Sequence, residues 1–121
     1  MFEVTVEESF AAGHALRGYR GKCENVHGHN YKLQVTIQGE GLDSIGLLVD
    51  FADLKKWIRA AVAKLDHKFV NDIPPFDLVN PSAENMAKYF YDEIGPAVPA
   101  PLRISQVMVW ETDTTSATYR P

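Results

Sequence analysis

The sequence predicts an α+β domain in which two helices cover one face of an antiparallel sheet. Three observations carry that expectation. Two stretches near the start alternate apolar and polar residues, two central stretches repeat apolar residues every three or four positions, and the last third returns to strand-like patterns. The order is β, β, α, α, β, β, giving a four-stranded antiparallel sheet.

Phe2, Val4 and Val6 alternate with Glu3, Thr5 and Glu7, as a strand with one buried face requires, and the break at Glu7-Glu8 reads as a bulge. Tyr31, Leu33, Val35 and Ile37 share one face of a second strand, which ends at Gly39-Glu40-Gly41. Asp50 is placed to cap a helix whose apolar positions are Phe51, Leu54, Trp57, Ile58, Ala61, Val62 and Leu65. Residues 66–81, with Pro74-Pro75 and Asn80-Pro81, read as a loop. Ser82 then caps a second helix carrying Ala83, Met86, Ala87, Phe90 and Ile94, which Gly95-Pro96 stops. Leu102 to Thr112 is apolar at nearly every position, the mark of a strand covered on both faces. A polar turn at 113–116 leads into a last strand at Ala117-Thr118-Tyr119.

A chain of 121 residues with 45% hydrophobic and 23% charged side chains has the size and make-up of one globular domain, residues 1–121. No window approaches the ~18 uninterrupted apolar residues of a membrane span. The acidic start, Glu3, Glu7 and Glu8, is unlike a secretory signal, so a cytoplasmic location is expected. A lone Cys23 forms no internal disulfide and suits a reducing compartment. Four strands in so short a chain leave two unpaired edges and a modest core; joining subunits edge to edge relieves both, and a homo-oligomer is expected.

A net charge of −4 argues against general nucleic-acid binding but hides a local inversion. Between His14 and Lys32 lie Arg17, Arg20, Lys22 and Lys32 against the single acid Glu24, in the same window as Cys23 and three of the four histidines. Arg17, Arg20 and Lys22, interleaved with Gly18 and Gly21, either hold an anionic substrate or form a solvated basic loop. Neither glycine-rich phosphate-binding fingerprint is present.

His27-Gly28-His29 places two imidazoles two residues apart, and both take the apolar face of the Tyr31 strand if that strand extends back without a bulge. Neutral imidazole suits zinc, which takes three or four ligands in a roughly tetrahedral array; such pairs also occur in ordinary hydrogen-bond networks. The third ligand is His14, at the end of the first strand, or Cys23. Three histidines with an open fourth position make a catalytic zinc, three histidines plus Cys23 a closed structural one, and spacing does not separate them. Lys22 and a metal would acidify the Cys23 thiol, which is otherwise a small buried hydrophobe. Asp66-His67 pairs a carboxylate with an imidazole, as an acid/base relay needs, unless Asp66 only caps a turn. Glu111 ends the most apolar strand, where a carboxylate needs hydrogen-bond donors; a heterocycle with adjacent N–H groups would supply them.

Taken together, Phe10-Ala11-Ala12-Gly13-His14, Cys23-Glu24-Asn25-Val26-His27-Gly28-His29, Leu65-Asp66-His67, Asn80-Pro81-Ser82-Ala83-Glu84-Asn85 and Trp110-Glu111-Thr112 resemble the 6-pyruvoyltetrahydropterin synthase family, most of all its bacterial branch that forms 6-carboxytetrahydropterin. The resemblance runs through the chain in order, with Val49-Asp50-Phe51 before the first helix and Tyr119-Arg120 at the end. It implies the tunnelling fold, in which sheets of several subunits close into a barrel, usually in a hexamer, with active sites between subunits. It implies His14, His27 and His29 as ligands of Zn2+, Cys23 as the base that moves side-chain protons, and Asp66 with His67 as relay partners. Glu111 is implied as the anchor of the pterin ring, with Thr112, Lys22 and Ser82 as further substrate contacts. The implied reaction turns 7,8-dihydroneopterin triphosphate into 6-carboxy-5,6,7,8-tetrahydropterin, acetaldehyde and triphosphate, an early step toward queuosine; 6-pyruvoyltetrahydropterin is the alternative product.

Three residues separate Cys23 from His27, as in the carboxy-forming branch, whereas animal pyruvoyl-forming relatives have a longer insert. Glu24 follows the cysteine directly, and relatives with glutamate at this Glu24-x-x-His27 spacing release 6-hydroxymethyl-7,8-dihydropterin for folate synthesis. The segment therefore resembles a combined form, with Glu24 as a second base. Val70 and Ser82-Ala83 depart from the leucine and the Thr-Ser or Thr-Thr usual in the family. The rival of another class is a non-catalytic zinc-binding oligomeric module with Cys23 as fourth ligand. A zinc hydrolase is disfavoured, because both H-E-x-x-H and the deaminase pattern are missing.

Overall fold

The computed structural model describes residues 1–18 and 25–121. Among them the elements run β1 (Phe2–His14), β2 (His27–Gly39), α1 (Phe51–Val62), β3 (Lys68–Phe69), α2 (Ala83–Ile94), β4 (Arg103–Thr112) and β5 (Thr115–Tyr119), the expected α+β order with one addition. That addition is β3. It lies inside the expected loop 66–81 and makes the sheet five-stranded, in the order β3-β1-β2-β4-β5. β3 runs parallel to β1 at Ala12 and Gly13, so the expectation of four strands, all antiparallel, is corrected at this edge. Two residues carry no periodicity to read.

β1 and β2 pair without a break from Phe2↔Gly39 to His14↔His27. The bulge expected at Glu7-Glu8 is absent. Glu8 keeps the inward parity of Val6 and Phe10, and Arg59 of α1 donates to its carboxylate at 3.0 Å, so the acid is accommodated on the covered face. The register shift lies instead between β2 and β4, at Thr36/Ile37.

Both helix caps form as the sequence requires: the Asp50 carboxylate accepts the Ala52 N–H at 2.8 Å, and Ser82 Oγ accepts the Asn85 N–H at 3.2 Å. α1 ends at Val62, short of the expected Leu65, which is nonetheless fully buried in the turn that follows. α1 lies over β1 and α2 over β4 and β5. Their apolar stripes, led by Leu54 and Ile58 on one helix and Met86 and Phe90 on the other, close on Tyr31, Leu33, Val35, Val107 and Val109. Phe10 stacks on Tyr31 with 5.0 Å between ring centroids and meets Phe90 edge-on at 5.6 Å. Each such side chain, fully buried, contributes ~1.5–3 kcal/mol.

Among the described residues β4 is covered on one face only. Ile104, Val107 and Val109 are buried under the helices, while Met108 and Trp110 on the other face stay half-exposed. No helix among the described residues is long and apolar enough to cross a membrane.

Candidate active site

β1, β2 and β4 lie side by side, and the ends that carry His14, His27 with His29, and Glu111 meet at one end of the sheet. β2 extends back from Tyr31 through His29 to His27 without a bulge, which gives both rings the parity of the covered face. His14 and His27 are register partners, and His29 stands opposite Ala12. Ring centroids are separated by 4.5 Å between His14 and His27, 5.2 Å between His14 and His29, and 4.7 Å between His27 and His29.

Glu111 completes the group. One nitrogen from each ring and a carboxylate oxygen of Glu111 lie within 4.8 Å of one another, a set that could hold a metal ion. The sequence reading makes Glu111 a catalytic and substrate-anchoring carboxylate, or in the rival module a salt-bridge partner, but not a metal ligand. The overlooked signal was parity: Val107, Val109 and Glu111 alternate onto the same covered face, one step beyond the Lys32–Trp110 register pair.

The hydrogen bonds of the rings show whether the group suits a metal. His14 Nδ1 lies 2.8 Å from the carbonyl oxygen of Pro81, and His27 Nδ1 lies 2.7 Å from that of Asn25. A carbonyl only accepts, so each Nδ1 carries the proton and each neutral ring leaves its Nε2 with a lone pair. Those two Nε2 atoms face each other at 2.9 Å with no proton between them in the doubly neutral state. His29 Nε2 is buried without an aligned hydrogen-bond partner, although Glu111 Oε1 is 2.9 Å away. Glu111 Oε1 is also 3.8 Å from His14 Nε2. Convergent imidazole lone pairs beside a carboxylate form the nitrogen and oxygen donor set that divalent transition metals take, and the outer Nδ1–H···O=C bonds are the usual way such ligands are oriented.

Burial holds the His14 imidazole below the ordinary histidine range, opposed by the Pro81 carbonyl and the Glu111 charge. His29 is lowered in the same way, with Glu111 again opposing. Both therefore favour the neutral form that binds metal.

Asp66 and His67 are brought together beside β1. His67 Nδ1 lies 2.9 Å from Asp66 Oδ1, and its ring is 80% exposed, open to a ligand. His67 takes the left-handed conformation, φ 58°, rare for a side chain of this size and costing about 1–3 kcal/mol. The Asp66 carboxyl is held below the ordinary carboxylate range, first by the Ala11 N–H and then by His67. His29 and His67 line one cleft of about 500 Å³, with Gly13 and Gly28 forming part of its wall.

The remaining site candidates divide. Cys23, Glu24, Lys22 and Arg20 lie outside the described residues. Ser82 Oγ serves the α2 cap. Thr112 Oγ1 bonds Thr115 Oγ1 at 2.6 Å and ties the β4–β5 turn. The Arg17 guanidinium donates to the carbonyls of Phe76 at 2.7 Å and of Val79 and Asn71 at 3.4 Å, so it braces the chain instead of forming a free basic loop.

This architecture and this chain have close parallels. A model of the family described as 6-pyruvoyl tetrahydropterin synthase matches residues 3–121. The 6-pyruvoyl tetrahydrobiopterin synthase of Poecilia reticulata is 37% identical over 131 aligned residues, covering 97% of this chain and 88% of its own. The 6-carboxy-5,6,7,8-tetrahydropterin synthase of Haemophilus influenzae is 31% identical over 145 residues, covering 99% of each, and that of Bacillus subtilis is 34% identical over 129 residues, covering 99% and 86%. The structure of the Caenorhabditis elegans 6-pyruvoyl tetrahydropterin synthase superposes with a TM-score of 0.87 at 31% identity, covering 100% of this chain and 97% of that one. With fold, length and sequence all matched from the first strand to the last, the chain belongs to the 6-pyruvoyl tetrahydropterin synthase family.

Proposed function

We propose that the chain is a zinc-dependent 6-carboxy-5,6,7,8-tetrahydropterin synthase, acting on 7,8-dihydroneopterin triphosphate and one water and releasing acetaldehyde and triphosphate. The observation that carries the metal-dependent reading is the convergence of three histidines and Glu111 at one end of the sheet. The Cys23-x-x-x-His27 spacing favours the carboxy product over the pyruvoyl one, although relatives of both names match at similar identity.

His14, His27 and His29 would hold zinc, which when bound supplies Lewis acidity at the substrate's side-chain hydroxyls. Glu111 presents a charged acceptor to the N–H groups of the pterin ring, through whichever oxygen the histidines leave free. Cys23 as thiolate takes a side-chain proton, and His67, oriented by Asp66, returns one. Glu24, beside it in sequence, is a second base of different pKa able to act on another side-chain position and so to open a 6-hydroxymethyl-7,8-dihydropterin route.

The assembly belongs to the same proposal. Among the described residues most of β1 has no neighbour on its β3 side, β5 is the opposite edge, and Met108 and Trp110 are half-exposed. Edge-to-edge joining into a barrel, in a hexamer with sites shared between subunits, would pair those edges.

Incubating the zinc-loaded chain with 7,8-dihydroneopterin triphosphate and identifying products by mass spectrometry tests the reading. The carboxy product with acetaldehyde is expected. A 6-pyruvoyl product would replace the assignment, and no turnover with zinc bound and the oligomer intact would leave a non-catalytic module. Cys23→Ala should abolish the carboxy product and Glu24→Ala should change the product ratio; identical ratios in the two variants would sink the two-base idea.

A further inference from the structure

Beyond His14 the main chain leaves the sheet, because its partner strand β2 begins at His27. Residues 15 and 17 nevertheless keep strand-like hydrogen bonding, and two asparagine side chains supply it. Ala15 N–H donates to Asn71 Oδ1 at 2.9 Å and Asn71 Nδ2 donates back to the Ala15 carbonyl at 2.8 Å. Arg17 N–H donates to Asn80 Oδ1 at 2.8 Å and Asn80 Nδ2 donates back to the Arg17 carbonyl at 2.8 Å. Each amide meets one main-chain donor and one acceptor, which fixes its orientation and imitates the residue of a neighbouring strand.

The second of these asparagines is joined to the metal cluster. Asn80 precedes Pro81, whose carbonyl accepts the His14 Nδ1–H, and the carbonyl of Asn80 itself accepts Asn85 Nδ2 at 2.9 Å from the first turn of α2. Ser82 Oγ caps that turn. Asn71 is only 9% exposed, so its two bonds are made out of water, where an amide left unpaired costs ~1–3 kcal/mol.

We infer that Asn71 and Asn80 are positioning residues for the metal site: by gripping Ala15 and Arg17 they hold His14 against the Pro81 carbonyl and so fix the tautomer that turns its Nε2 toward His27, His29 and Glu111. Neither asparagine touches the metal donors. The inference rests on the metal reading for one of its two tests and is independent of it for the other.

Both tests use the full chain with Asn71→Ala and, separately, Asn80→Ala. In the zinc-free protein, long-range 1H–15N spectra report the His14 tautomer: the Nδ1–H form is expected in the wild type and a mixture in the variants. With zinc, chelator competition should show affinity weakened about tenfold or more, the effect typical of losing support behind a ligand. The inference is overturned if the zinc-free unfolding temperature falls while the tautomer stays fixed and zinc affinity remains within about twofold, since the asparagines would then hold only the loop. Should Asn80→Ala fail to fold, Asn71→Ala carries both readouts. A wild-type chain that binds no zinc would overturn the proposed function and leave the tautomer test to decide this inference.

Discussion

The carboxylate of Asp66 is fastened to β1 at Ala11: Oδ1 accepts the Ala11 N–H at 3.0 Å, and the N–H of the following His67 returns to the Ala11 carbonyl at 2.6 Å. The strand that receives this pair ends three residues later in His14. The proposed proton relay and the proposed metal ligand are therefore referenced to one rigid strand, which is how a site holds several groups in fixed relation.

The Asp66 bond has a pH signature. A carboxyl whose folded pKa lies below its unfolded value of ~3.9 stabilises the fold fully above that value and loses the contribution as pH falls through the folded pKa. Asp66→Asn keeps an acceptor for Ala11 but does not titrate. In zinc-free protein the advantage of wild type over Asp66→Asn in unfolding temperature should shrink as pH falls below about 4. A difference that stays the same down to pH 3 would show that the carboxyl is not perturbed.

Metal removal should destabilise the chain. Zinc at 100 times its Kd would add ~2.7 kcal/mol to the folded state, so a chelator should lower the unfolding temperature and fresh zinc should restore it. His29→Ala, at a ring already 20% exposed, should abolish that zinc-dependent increment while leaving the zinc-free fold in place. Metal analysis that finds one zinc per chain in His29→Ala would remove this residue from the ligand set.

Glu111→Gln separates two roles for one carboxylate. An anchor for the pterin ring predicts full zinc content with KM raised ~10- to 100-fold, the equivalent of the ~1.5–3 kcal/mol of a hydrogen bond to a charged group. Zinc lost along with activity would instead make Glu111 the fourth ligand of a closed site, a different chemistry from the one proposed.

At the far end of the sheet, a Cβ added to Gly39 would come within 2.8 Å of side-chain carbons of both Leu48 and Leu102. Both contacts are to terminal methyls of half-buried leucines that can swing aside, so Gly39→Ala should cost no more than ~1 kcal/mol, measured by denaturant unfolding. Leu48→Ala in the same chain should recover part of the loss; a double variant less stable than the sum of the singles would contradict the packing account.

The parts of this molecule that repeat with a period are the parts that could be read. The Tyr31–Ile37 alternation, both amphipathic helices and the caps at Asp50 and Ser82 follow from local chemistry, and the structure has them in place. His27 and His29 were legible because they continue an existing alternation. Glu8 misled because an acid on a covered face looks like a break, and only Arg59, 51 residues later, explains it. β3, Asn71 and Asn80 left no local trace, since their work is done on main-chain atoms more than 50 residues away. Arg17 resembled an anion ligand for the same reason: its acceptors are carbonyls 54 to 62 residues distant.

His14 and His27 sit on one rung of the β1–β2 ladder, so the excursion between them departs from and returns to a fixed point. Inserting or deleting residues there would leave that rung where it is, because closing a longer loop costs only ~0.6 kcal/mol per doubling of length. Loop length is thus an adjustable coordinate, uncoupled from the spacing of the imidazoles. Under the proposed assignment of Cys23 and Glu24 as bases, a change in that loop is a change in the bases and not in the metal donors.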